Sequence, residues 1–229
     1  GYTMRNNKTL IIIPLYNESK VIEEVVNGIL KHFTNIVIIN DGSTDESLDI
    51  ISKLDVKVIN HPFNMGQGAA IQTGIDYCIG KNFDYIVTFD GDGQHCPLDV
   101  IEMIEVINNK KVDTVLGSRF IGKTENMPKM KYIILKCAII FNYFITGMFL
   151  TDAHNGLRVF KMNVVKNMHL KHNGMAHATE ILEIISRNKL NFIEYPVTIK
   201  YTEYSISKGQ SLFNSIVIAF DIIVKKLKL

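Results

Sequence analysis

Short runs dense in isoleucine and valine recur along the first half of the chain: TLIIIP (9–14), NIVIIN (35–40), VKVIN (56–60), DYIVTF (84–89) and VDTVLG (112–117). Their near-continuous apolar character suits strands of a parallel sheet covered by helices on both faces. The segments between them, ESKVIEEVVNGILKHF, STDESLDIISKL, GQGAAIQTGIDYCIG and PLDVIEMIEVINN, space their apolar residues as helices do. Ser43 and Glu46 form a capping-box pattern, and Pro97 suits a first helical turn. Repeated βα units predict a doubly wound, mostly parallel α/β sheet. The second half is less regular: a long apolar segment (131–150), a short strand GLRVF, a helix near 176–188, a strand NFIEYPVTIKYT and an apolar helix to the C-terminus. A chain of 229 residues fits a single domain, taken as 4–210, with helix 211–229 appended.

Open α/β sheets bind ligands beyond the carboxyl ends of their strands. Here those ends carry PLYNES, NDGSTD, DGDGQH and GSRF. They bring carboxylates (Glu18, Asp41, Asp90, Asp92), amides (Asn17, Asn40, Gln94) and the Arg119 guanidinium to one edge, a mixture suited to a nucleotide, a divalent cation and a diphosphate. Asp90 and Asp92 sit where an apolar strand stops, and an unpaired carboxylate there is costly. An EF-hand loop fails, because His95 and Ile101 occupy the positions of its obligatory Gly and Glu. A haloacid-dehalogenase type of phosphatase has a comparable aspartate pair but puts Thr or Val where Gln94 stands. A glycine-rich turn whose aspartates bond nearby N–H groups is the plain alternative. A Mg²⁺ or Mn²⁺ site explains the pair best, since a hard cation offsets charges otherwise costly to bury.

The net charge of +2 argues against a nucleic-acid partner. Cys78, Cys96 and Cys137 are widely spaced and form no CxxC pair, which predicts a reduced, cytoplasmic setting without structural zinc. No signal peptide is evident, and the uncharged stretch 137–151 contains Asn142, Thr146 and Gly147, short of the ~20 mostly apolar residues of a membrane span. The expectation is a soluble or peripheral protein.

Taken in order, IIIPLYNES, VIINDGSTDES, NMGQGAAIQTGI, FDGDGQH, VLGSRF, TDAHNGLRVF and EYPVTIKY resemble the family 2 inverting glycosyltransferases of GT-A fold, and within them the dolichyl- and polyprenyl-phosphate sugar transferases. The resemblance spans about residues 8 to 210. It implies that Pro14, Tyr16, Asn17 and Glu18 hold the nucleotide base and ribose and that Asp41 contacts the base. Asp90 and Asp92, with Gln94, would bind Mg²⁺ or Mn²⁺ and the donor diphosphate. Arg119 would face the phosphates or an anionic acceptor, and the D-x-x-x-G-[FL]-R element falls on Asp152, Gly156 and Arg158, with Asp152, Arg119 and Arg158 as the catalytic set. The implied donor is a nucleotide diphosphate-sugar, UDP ahead of GDP. The implied acceptor is a polyprenyl phosphate, with a saccharide hydroxyl on a growing glycan, or a non-catalytic sugar-nucleotide-binding subunit, as alternatives. An acceptor hydroxyl needs a general base, for which Asp152 is the candidate, whereas an acceptor phosphate is already ionised.

The chain also departs from that pattern. Thr202 and Ser205 replace the Arg and Gly of an R-x-x-G-x-S-K element, which leaves Ser207 and Lys208, the latter a candidate diphosphate contact. Gly66-Gln67-Gly68 lacks the lysine of a GKG and is no dinucleotide fingerprint, because Ile71 stands at the third glycine position. At an R-x-x-x-S that often opens the middle helix the chain has Lys131 and Leu135, so a cation survives. His32, His61, His169 and His172 have no partner pattern; His95 and His154 lie within motifs, and His177 is near Glu180. Phe141, Tyr143, Phe144 and Phe149 are expected in the core. The segment SLFNSIVIAFDIIVKKLKL is apolar nearly all round and ends in Lys225, Lys226 and Lys228, which suits core packing, an anionic lipid surface or a small membrane-protein partner at the cytoplasmic membrane face.

Overall fold

The computed structural model describes residues 6–208. Its elements run β1 (Asn6–Leu15), α1 (Ile22–Leu30), β2 (Phe33–Asn40), α2 (Ser47–Ile51), β3 (Lys57–Asn60), α3 (Gln67–Cys78), β4 (Tyr85–Thr88), α4 (Pro97–Lys110), β5 (Thr114–Glu125), α5 (Lys129–Thr146), β6 (Arg158–Lys161), α6 (Met162–Val165), α7 (His177–Arg187) and β7 (Phe192–Lys200). Residues 203–208 form a further helical stretch. The predicted helix 211–229 lies outside the described residues.

One seven-stranded sheet has the order β3-β2-β1-β4-β6-β5-β7. β1 pairs in parallel with β2 and β4, and β2 with β3, as the βα units require. β6 is inserted antiparallel between β4 and β5, while β7 runs parallel to β5. β1 shows why the sheet is covered twice. Side chains alternate across a strand, so Ile11, Ile13 and Leu15 join Ile22, Val26 and Ile29 of α1 and Val100, Met103 and Ile107 of α4. Leu10 and Ile12 join Ala70, Ile71 and Ile75 of α3 and Ile181, Leu182 and Ile185 of α7 on the other face. Each such buried side chain contributes about 1.5–3 kcal/mol. This central strand therefore fixes where its polar end, PLYNE, emerges.

Two local expectations change. The capping box at Ser43 and Glu46 does not form: α2 begins at Ser47, whose backbone N–H donates to Asp45 Oδ1 (3.0 Å), while Ser43 Oγ accepts from the Asn17 N–H (3.0 Å). Pro97 does open α4. The larger correction concerns α5. Of its eighteen residues only Leu135, Asn142 and Thr146 are buried. Phe141 and Tyr143 are exposed, as are Phe144 (80 %) and, beyond the helix, Phe149 (81 %), rather than packed in the core. The seam facing the protein is partly polar: Asn142 Nδ2 donates to Ala138 O (2.9 Å) and approaches His154 Nε2 (3.2 Å), and Thr146 O accepts from Ser186 Oγ (2.7 Å). Among the described residues no helix is long and apolar enough to cross a membrane.

Candidate active site

The carboxyl ends of β1 and β2 are laced together. Asn17 adopts φ 54°, and its Oδ1 accepts from the Thr44 N–H (2.8 Å) and Asp45 N–H (3.3 Å). The N–H groups of Glu18 and Ser19 donate to Ser47 Oγ (2.9 Å) and Asp45 Oδ2 (3.1 Å). Pro14 is half-buried and Tyr16 lies open beside this corner. Glu18 is buried and is met from the far end of the chain. Tyr204 OH donates to its Oε2 (2.7 Å), and Lys208 forms an ion pair with its Oε1 while donating to Tyr16 O (2.9 Å) and Asn17 O (2.8 Å). Lys208 is thus brought to this corner, with its ammonium occupied by Glu18.

Asp41, expected to contact a base, is buried and already serves internal donors. Its Oδ1 accepts from the Met65 N–H (2.9 Å) and bonds His61 Nδ1 (2.7 Å), and its Oδ2 accepts from the Gly66 N–H (2.8 Å). His61, which sequence reasoning left without a partner, is held from behind by Thr73 Oγ1 (2.8 Å). Gly66 takes φ 104°, a backbone conformation that other residues rarely adopt. The loop so fixed delivers Gln67, whose Nε2 donates to Asp90 Oδ1 (3.1 Å). The first amides of α3 are not free for phosphate: Gly68 N–H and Ala69 N–H donate to Asn173 O (2.7 and 3.2 Å).

Asp90 and Asp92 follow β4 directly. Burial disfavours the Asp90 charge, but the hydrogen bond from His95 Nε2 (3.0 Å), the charge of His95 and the nearby Arg158 hold it below the usual carboxylate range. Asp92 is pushed up from 3.8 to about 6, first by burial and then by Asp90. Gln94 N–H donates to Asp92 Oδ1 (3.1 Å), and Gln94 O accepts from the Lys200 N–H (3.1 Å), so this residue ties the turn to β7. Two neighbouring carboxylates, one held charged and one resisting charge, fit a hard divalent cation. No group of three or more His, Cys, Asp or Glu among the described residues forms a closed cage. A cation here would complete its shell with diphosphate oxygens and water.

The third part of the site faces these carboxylates. Arg119, at 7 % exposure, is turned inward rather than toward an open anion site. Its Nε and backbone N–H donate to Asp152 Oδ2 (2.7 and 3.0 Å), Nη1 to Tyr201 OH (2.7 Å) and Nη2 to His154 O (3.0 Å). Asp152 Oδ2 also accepts from Asn155 Nδ2 (3.2 Å), whereas Asp152 Oδ1 is buried with no hydrogen-bond partner among the described residues. Arg158 is buried at the start of β6; burial pushes it down to about 10 against the attraction of Asp90 and Asp152. Burial, with Arg158, likewise pushes His154 down to about 4, and burial lowers His177. Lys131, in the exposed first turn of α5, is lowered by desolvation first and then by the Arg119 charge, while the Asp92 charge pulls the other way. His61, Gln67, Tyr201 and Tyr204 were missed as site residues, because their contacts join loops remote in sequence.

Residues 10–171 match the model of the family described as Glycosyl transferase family 2. The UDP-N-acetylglucosamine–dolichyl-phosphate N-acetylglucosaminyltransferase of Methanococcus voltae is 34% identical over 246 residues, covering 98% of each chain. The polyprenol monophosphomannose synthase of Mycolicibacterium smegmatis is 26% identical over 215 residues, 88% of this chain and 80% of its own. Among solved structures, glucosyl-3-phosphoglycerate synthase of Mycobacterium tuberculosis, crystallised with Mn²⁺, UDP and phosphoglyceric acid, superposes with a TM-score of 0.65 at 14% identity, covering 86% of this chain and 70% of that one. The fold is that of the GT-A glycosyltransferases. The phosphatase alternative falls with these findings.

Proposed function

The chain belongs to glycosyl transferase family 2 and is a glycosyltransferase, and on that premise we propose that it moves a sugar from a UDP-sugar to a polyprenyl phosphate, with Mg²⁺ or Mn²⁺ and with inversion at the anomeric carbon. The observation that carries this reading is the pair Asp90 and Asp92, the latter pushed up to about 6 beside its neighbour, at the meeting of the β1, β2 and β4 ends. Asp90 and Asp92 would hold the cation, whose charge offsets the negative charge gathering on the departing diphosphate. Pro14, Tyr16, Asn17 and Glu18 form the nucleotide corner, with Lys208 beside them, and Asp41 serves it by fixing the 61–67 loop. The UDP-N-acetylglucosamine in the name of the Methanococcus voltae relative, and the UDP and Mn²⁺ in the mycobacterial complex, support UDP over GDP.

For the acceptor, the named relatives support a lipid phosphate. Such a phosphate needs a cation rather than a base. Lys131 is that cation, because Arg119 spends its donors on Asp152, Tyr201 and His154. A saccharide hydroxyl is the second reading, and one observation favours it: Asp152 Oδ1, the oxygen that would serve as its base, has no hydrogen-bond partner among the described residues. Catalysis on either acceptor, rather than silent binding, is supported by Arg158, which feels both Asp90 and Asp152 and so links the two halves of the site. The test is transfer from UDP-N-acetylglucosamine with Mn²⁺ to a short-chain polyprenyl phosphate, followed by chromatography of the lipid. A labelled lipid product carrying the β-anomer is expected from an α-linked donor. Label appearing on an oligosaccharide acceptor, and none on the lipid, would favour the second reading.

A lipid acceptor requires contact with a bilayer, and the exposed side of α5 supports that contact at the cytoplasmic membrane face. Ile133, Ile140, Phe141 and Phe144, with Phe149 just beyond, expose large apolar side chains near Lys129 and Lys131. Aromatic and basic groups together suit a helix lying in an anionic interface. Replacing both Phe144 and Phe149 by Ser should lower co-sedimentation with phosphatidylglycerol vesicles about tenfold or more, given the ~2 kcal/mol scale of one buried aromatic, and leave UDP-N-acetylglucosamine hydrolysis intact. Unchanged sedimentation would shift the contact to residues 211–229 or to a membrane-protein partner.

A further inference from the structure

Between the end of α5 and β6 the chain runs through residues 147–157 without strand or helix, yet this stretch carries Asp152. No ladder of backbone hydrogen bonds holds it. Its corner is fastened instead by one side chain from β7. Thr151 N–H donates to both oxygens of Glu194 (2.9 and 3.0 Å), Thr151 Oγ1 is 2.9 Å from Oε1, and Asp152 N–H donates to Oε1 (3.1 Å). Glu194 stands opposite Leu116 in the β5–β7 pairing. Further along β5, Ser118 Oγ bonds Thr151 Oγ1 (2.6 Å), and Arg119 grips the Asp152 carboxylate.

We infer that Glu194 is a positioning residue for the reaction: it clamps the Thr151–Asp152 corner from β7 so that Asp152 meets Arg119 with Oδ1 left free. The argument is one of donors and acceptors. The corner offers two backbone N–H groups and a hydroxyl, and a carboxylate, which only accepts, can take all three. A glutamine could keep its oxygen at the Oε1 position, which takes all three, but its amide nitrogen would then stand 3.0 Å from the Thr151 N–H, a donor facing a donor. Nor does Glu194 bond to the proposed donor-binding residues, which come from the ends of β1, β2 and β4 and from Lys208 beyond β7; its partners are Thr151 and Asp152. Its loss should therefore be felt by the chemical step and not by nucleotide binding. The assignment rests on the reading of Asp152 as a reacting-centre residue, which toward a phosphate acceptor holds Arg119 in place rather than taking a proton.

The experiment compares Glu194→Gln, Asp152→Asn and the double variant in steady-state turnover of UDP-N-acetylglucosamine with Mn²⁺ and a short-chain polyprenyl phosphate, alongside calorimetric titration with Mn²⁺ and UDP. For Glu194→Gln, kcat should fall about tenfold or more, with donor KM and UDP affinity within about twofold of the parent. In the Asp152→Asn background the same replacement should cost less than about threefold, because residues acting as one unit are not additive. A merely structural glutamate would lower stability and leave kcat, or would cost the same factor in both backgrounds; either result overturns the clamp. A loss in Asp152→Asn with none in Glu194→Gln overturns the clamp alone. An unaffected Asp152→Asn overturns the role of Asp152 and the clamp with it.

Discussion

Asp92→Asn is expected to lose Mn²⁺-dependent UDP binding while melting at a higher temperature than the parent above pH 6. The two effects share a cause. Burial and the neighbouring Asp90 push the Asp92 carboxyl from 3.8 up to about 6, so its charged form is the one the fold disfavours. A carboxyl whose folded-state value is raised contributes its stability fully below about 3.8 and loses it as the pH rises through about 6. An uncharged amide escapes that loss. At pH 8 the gain is on the order of 2 kcal/mol, about 5 °C for a domain of this size, and it should vanish near pH 4. Asn retains an oxygen to accept from the Gln94 N–H, so the turn is kept. The charge that destabilises the ligand-free fold is also the one a hard cation needs, and disturbing even the partners of metal ligands costs 10–100-fold in affinity, so losing a ligand charge should cost about 100-fold. Thermal scans at pH 4.5 and 8 and Mn²⁺–UDP titration by calorimetry check both halves. Unchanged metal dependence, or a lower melting temperature at pH 8, would contradict the account. It is the usual trade between stability and a site held ready for a ligand.

What the sequence made legible follows from which forces are local. The alternation of β1 sets Ile11, Ile13 and Leu15 against Leu10 and Ile12, and with Pro97 at the head of α4 it is visible in neighbouring residues. So are the polar ends of β1, β2 and β4, since a carboxylate at the end of an apolar run is conspicuous wherever it lies. The antiparallel insertion of β6 was not legible, because RVFK reads the same in either direction of pairing. Neither was the exposed side of α5. A helix apolar nearly all round gives no sign of which side faces the protein, and here the polar Asn142 and Thr146 are buried, Asn142 beside His154 and the Thr146 carbonyl accepting from Ser186. The least legible contacts join distant segments. Lys208 and Tyr204 close on Glu18 from across the chain, and Glu194 reaches Thr151 from another strand. His61 looked idle for the same reason: its partners, Asp41 and Thr73, are 20 and 12 residues away and become neighbours only when β2, β3 and α3 assemble.

Gly156→Ala should leave the fold largely intact and cut kcat/KM by about 100-fold. The glycine of the D-x-x-x-G-x-R element lies against the Asp90 carboxylate, the proposed metal ligand: a Cβ added there would meet Asp90 Oδ2 at 2.2 Å and Oδ1 at 2.5 Å. Something must move, and the candidates are unequal. The backbone at Gly156 is held by Thr88 Oγ1, which donates to Gly156 O (2.7 Å), and by β6 starting two residues later. The Asp90 carboxylate is fastened only by side chains, Gln67 Nε2 (3.1 Å) and His95 Nε2 (3.0 Å), so it is the group that swings aside. The cost in stability is that of a small overpacking, about 1–3 kcal/mol. The cost in function is larger, because a displacement near 1 Å at a reacting centre is worth about 100-fold. Overpacking elsewhere would leave the metal requirement alone; displacement of Asp90 should instead raise the Mn²⁺ concentration for half-maximal turnover by tenfold or more and weaken UDP binding only in the presence of Mn²⁺. Measured with UDP-N-acetylglucosamine across a Mn²⁺ series, an unshifted metal dependence would show that Asp90 had not moved, and the close approach of Gly156 would then be a matter of packing alone.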